Sequence, residues 1–83
     1  MLLDNVPLEK REQYEKDRQK IKSVMLQHSE ADQNRIKRMA VAMIGACVVS
    51  GEIEETPQAI ALAMPQAMLD AIQTMNAVNE FVS

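Results

Sequence analysis

The chain is 83 residues long, which allows one domain at most, and combines 47% apolar residues with a net charge of −3. Two aromatic residues, Tyr14 and Phe81, and no Trp leave no stacking platform for single-stranded nucleic acid. A lone cysteine, Cys47, rules out an intrachain disulfide and fits a reducing compartment.

The opening MLLDNVPLEK has no basic stretch leading into a long apolar core, so no secretory leader is expected. A first helix is predicted over about 7–28, because Pro7 suits a first helical turn, where its missing N–H has no partner to lose. Tyr14, Ile21, Met25 and His28 recur at spacings of seven, four and three, while the rest of residues 9–20 is polar. The pattern is that of a charged helix with a narrow apolar seam.

Ser29 with Asp32 three residues on marks the start of a second helix, expected over about 30–49 and stopped by Gly51. One side carries Ile36, Met39, Met43, Ala46 and Cys47, and another Val41, Ile44 and Val48. After Arg38 no side is polar until Ser50, so the pattern predicts a helix buried all round at the centre of the assembly. Ala42, Gly45 and Ala46 would admit a closely packed neighbour. Val48 and Val49 also suit a buried strand, but the length and the Ala and Met content favour helix. The apolar run 39–49 spans about 16 Å as a helix, well short of a bilayer core of about 30 Å. No membrane span is expected.

Thr56 is a suitable N-cap with Pro57 at the first helical position, opening a helix or kinked helix pair over about 57–82. Ala61, Met64, Met68, Ala71, Met75, Val78 and Val82 alternate at spacings of three and four, a heptad seam in which Pro65 is expected to kink or split the helix. Leu62 and Leu69 lie about a third of a turn aside and mark a second contact surface. The near-repeats PQAIALAM and PQAMLDAI read as helix punctuation, too short for a solenoid.

All nine Lys and Arg lie in residues 10–38, and residues 39–83 carry only Glu52, Glu54, Glu55, Asp70 and Glu80. The two halves are expected to face each other, within one chain or between subunits. Six of the basic residues lie in 10–22 interleaved with Glu9, Glu12, Glu15 and Asp17, which makes a salt-bridged solvated helix and not a phosphate-binding stripe. Residues 56–76 have a passing look of helix-turn-helix. The would-be recognition helix, residues 66–82, however, holds no Lys, Arg or His and carries Asp70 and Glu80, so nucleic acid is not the expected partner.

Candidates for chemistry are few. Cys47 and His28 are the sole Cys and His, and Cys47 sits among small apolar helical residues, where a buried inert thiol is expected. One Cys and one His fall short of a zinc ligand set. Glu52, Glu54 and Glu55 read as linker charges favouring the positive end of the next helix. Nothing builds a pocket that would turn Asp70 and Glu80 into an acid–base pair. No catalytic residue, cofactor or metal is predicted. Seven Met residues do point to an adaptable surface, serving as core, as oligomer interface or as a groove for a partner helix.

Over residues 35–82, a basic start (Arg35, Lys37, Arg38) precedes AVAMIGACVVSG, a short acidic stretch and LAMPQAMLDAIQTMNAVN. This order of features resembles the C-terminal half of the tail assembly chaperones of long-tailed phages. It departs from them in a shorter N-terminal part and a linker without their Asp–Gly turn. The resemblance implies a small helical protein that coats an aggregation-prone tape measure protein and recruits tail tube subunits. On the periodicity alone, client contact is expected at Leu62, Met64, Met68, Leu69 and Met75.

The sequence thus predicts an all-α fold: a small three- or four-helix bundle, a single domain over 1–83, with a charged N-terminal helix and a tendency to oligomerise. Its expected function is that of a non-catalytic helical protein-binding module of the cytoplasm (the host cytoplasm if phage-encoded), a phage tail assembly chaperone or scaffold-like protein. Two rival readings are a small inhibitor or antidote occluding a host or toxin surface, and a nucleic-acid-associated accessory factor using residues 10–22 and 35–38.

Overall fold

The computed structural model describes residues 5–82. Residues 1–4, the start of the segment examined for a leader, and residue 83 lie outside the described residues. Three helices follow in chain order, α1 (Leu8–Met25), α2 (Glu30–Ser50) and α3 (Pro57–Val82). No described residue is in a strand, so the three-helix form of the expected all-α fold is the one observed.

The boundaries follow from local chemistry. Pro7 caps α1 from an extended conformation, and its carbonyl accepts from the Lys10 and Arg11 N–H groups at 3.0 and 3.1 Å. α1 ends at Met25, three residues earlier than expected, and His28 stands in the turn beyond. At the start of α2, the Ser29 hydroxyl accepts the Asp32 N–H at 3.2 Å. Gly51, at φ 85°, ends α2 in the left-handed region that a side chain would disfavour. The Thr56 hydroxyl accepts the Ala59 N–H at 3.2 Å and so opens α3. Pro65 lies inside α3, which runs through it as one element, and the alternative of a split helix pair is not observed.

The hub of the fold is α3, not α2. It packs along both other helices, most extensively along α2, whereas α1 and α2 barely touch. Ile21 and Met25 of α1, Ile36, Ala40 and Ile44 of α2, and Ala67, Ala71, Ile72 and Met75 of α3 form one buried cluster. With neighbours on two sides, α3 buries a wide arc that takes in Pro65, Ala67 and Ile72 beside the predicted seam. The seam itself holds only midway: Ala71 and Met75 are buried, Met64 and Met68 are half-buried against the core, and Val78 and Val82 are exposed.

Within the single chain, α2 is not buried all round. Its inner face meets α3, but Val41 is 59% exposed and Val49 90%, and Ala42, Gly45 and Ala46 are exposed with them. A single neighbouring helix cannot cover a helix on every side. The radius of gyration is 13.7 Å, against about 12 Å expected for a compact chain of this length. The 45 × 28 × 18 Å extents describe a slab whose outer helix faces stay bare.

Candidate functional site

Two hollows line the boundary between α1 and α3. One, of about 310 Å³, lies between Tyr14, Arg18 and Ile21 of α1 and Met64, Pro65 and Met68 of α3. The other, of about 390 Å³, has Lys10 and Tyr14 on one wall, Leu62 and Ala63 on the opposite one, and Ile53 of the linker at its end. Tyr14 borders both, so the two hollows meet at its ring along an α1–α3 furrow whose α3 wall is apolar and whose α1 wall carries charged side chains. On the α1 wall the Arg18 guanidinium lies 5.6 Å from the centre of the Tyr14 ring and 3.5 Å from the Glu15 carboxylate. Both ions of the pair are more than half exposed, so it adds little stability. Its effect is to hold the long Arg18 side chain over the ring.

The furrow gathers three of the five residues picked from periodicity. Leu62 is half-buried and stands outside the core packing, which leaves its side chain in the hollow. Met64 and Met68 serve twice, resting on the core and lining the furrow. Leu69 is half-buried against the core and lines neither hollow. Met75 is only 4% exposed, inside the cluster that holds the three helices together. Tyr14, Ile21 and Pro65 complete the site, and sequence reasoning assigned them to seam and punctuation. Nothing in the sequence showed that α1 would lie on this side of α3.

The second apolar surface is the outer face of α2, with Val41, Ala42, Gly45, Ala46 and Val49. Gly45 is the unusual member. A methyl group at its Cβ position would meet nothing within 4 Å, so packing within the chain does not call for glycine. In a helix interior glycine costs about 1 kcal/mol relative to alanine.

Cys47 and His28 stand near opposite ends of α2. About 25 Å of helix rise separates them, too far for a catalytic pair. The His28 Nδ1 lies 2.9 Å from the Val24 carbonyl, and Gln33 donates to the His28 carbonyl at 3.0 Å. Cys47 is half-buried near Glu52; hydrogen bonding toward Glu52 first, then desolvation and the Glu52 charge, push its pKa above the ordinary thiol value. Such a thiol is a poor nucleophile. Asp70 accepts from the Gln66 side chain at 3.1 Å, and Glu80 lies about 15 Å further along α3, out of reach of a shared proton. Among the described residues no three His, Cys, Asp or Glu side chains group in a way that could hold a metal ion, and no helix is long and apolar enough to cross a membrane.

Compared with protein-family models, with curated proteins and with solved structures, the chain matches none.

Proposed function

We propose that the chain is a non-catalytic helical binding module that takes an apolar helical segment of a protein client into the α1–α3 furrow. In kind it would be a chaperone or scaffold-like protein of phage tail assembly, and the order of features over residues 35–82 supports that finer reading. The observation that carries the proposal is the furrow itself. Leu62, Met64, Met68 and Tyr14 line an open apolar channel on a domain whose interior is already filled by other side chains. Flexible thioethers suit a client of variable sequence, and a charged wall keeps an apolar channel from collapsing onto any passing surface.

The test uses the full chain and amphipathic helical peptides cut from a phage tape measure protein, with binding followed by fluorescence anisotropy. Leu62→Asp should weaken capture at least tenfold. Asn76→Asp, which adds the same charge at an exposed position of the same helix, should stay within twofold of wild type. Equal capture by both variants would remove the furrow as the site. Tight one-to-one capture of a folded enzyme in place of the peptides would favour an inhibitor, and a salt-sensitive shift of DNA would favour the nucleic-acid reading.

A further inference from the structure

We infer that the outer face of α2 is where two copies of this chain meet, with the two α2 helices antiparallel and crossing near Gly45. The inference rests on the reading of the chain as a helical binding module and names its own second copy as one partner.

Three observations converge on this face. It is apolar and uncovered for about two turns: Val41 and Val49 are 59% and 90% exposed, and Ala42, Gly45 and Ala46 lie between them. This arc points away from Ile36, Ala40 and Ile44, which face α3, so nothing in the chain itself covers it. Gly45 sits in its middle, where helix propensity disfavours it and where an added Cβ would touch nothing. A glycine that its own fold does not need is accounted for by a second backbone coming close from outside.

The charges select the occupant. Lys37 and Arg38 lie in the N-terminal half of α2, where Glu30 and Asp32 also stand and Arg35 pairs with Asp32 at 4.0 Å; the exposed Glu54 and Glu55 follow its C-terminal end, with no basic residue anywhere after Arg38. Arg38, Ala42, Gly45 and Val49 stand at spacings of four, three and four along the bare line of the helix. A two-fold axis at Gly45 sets Val41 of one copy against Val49 of the other. It also brings Arg38 of each copy towards the acidic linker of its mate. The helix dipoles then oppose favourably as well. A parallel pair would set Arg38 against Arg38 and linker against linker. One patch that complements itself under a two-fold is what an isologous dimer requires. Gly45 and four small to medium side chains fall short of the roughly 800 Å² per partner of a tight interface. The dimer is therefore of moderate affinity and weakens as salt screens its charged ends.

Sedimentation equilibrium of the full chain over roughly 5 to 500 µM spans the weak range in which such a dimer falls. Wild type should dimerise, more weakly at high salt. Gly45→Leu should raise the dissociation constant at least tenfold with its dilute thermal melt undiminished, because the monomer has room for the side chain. Orientation is read on a Cys47→Ser background by mixing Val41→Cys with Val49→Cys chains under mild oxidation. The mixed disulfide should outrun both symmetric ones. Undiminished dimerisation of Gly45→Leu, or dominance of the symmetric disulfides, overturns the inference. A wild type that stays monomeric yet captures client peptide overturns it too and leaves the binding-module reading standing. A dimer that captures nothing overturns that reading instead and leaves this interface intact.

Discussion

Across the left-handed turn at Gly51, the Glu52 N–H donates to the Cys47 carbonyl at 2.9 Å, which keeps the Glu52 carboxylate near the Cys47 thiol. Hydrogen bonding toward that carboxylate, partial burial and the neighbouring negative charge all favour the protonated thiol and raise its pKa above the ordinary 9.0. At pH 8 the folded chain should react with iodoacetamide more slowly than the urea-unfolded chain, and Glu52→Gln should speed the folded reaction. The folded pKa lies above the unfolded one, so the associated stability is fully present below the unfolded value and lost as pH rises through the folded value. A folded thiol that alkylates as fast as the unfolded one would show that Glu52 does not hold it.

The two side-chain caps should each be worth a measurable amount. Ser29→Ala and Thr56→Ala remove single hydroxyl acceptors from the starts of α2 and α3. Each should lower unfolding stability by about 1 kcal/mol, seen as a drop in urea midpoint, with the glycine variants costing only a few tenths. Equal losses for Ala and Gly would mean that the hydroxyls are not what caps these helices.

Met75 and Val78 occupy neighbouring seam positions, but the structure separates them: Met75 is 4% exposed and Val78 54%. Met75→Ala should cost about 2–5 kcal/mol through lost burial and the cavity left behind. Val78→Ala should stay within about 0.5 kcal/mol, as for a surface change. Thermal melts of the two variants would decide, and similar losses would mean that the seam continues inward past Met75.

Much of the local structure was legible because its signals are local. Ser29, Gly51, Thr56 and Pro57 mark helix ends by chemistry acting within a few residues, and the sequence needs no partner to display them. The choice of hub was not legible. α2 is apolar on every side after Arg38 but intersperses five Ala, Gly and Cys among Met39, Val41, Met43, Ile44, Val48 and Val49, whereas the longer α3 carries Ile60, Leu62, Met64, Met68, Leu69, Ile72 and Met75. Burying the helix with the larger side chains removes more apolar surface from water, so α3 takes the two-sided position and α2 keeps a bare face. Periodicity likewise put Leu62, Met64 and Met68 on one helix without saying which side another helix would occupy. That depended on Ile21 and Met25 docking on α3, a non-local contact. Their seven- and four-residue spacings gave the register of α1 but not its destination.

The sparse attachment of α1 has a consequence for the ensemble. Among residues of α1 only Ile21 and Met25 are buried, both in its C-terminal half, and almost all of its packing is with α3. Detaching α1 therefore exposes far less apolar surface than separating α2 from α3. The protein's lowest-energy partial opening is the release of α1 from a surviving α2–α3 hairpin. Amide protons of α1 should exchange through that local event, and those at the centres of α2 and α3 only through global unfolding. The same fluctuation lays bare Met64 and Met68 along their whole length, so the furrow has a wider open state available to it at a free-energy cost below that of unfolding.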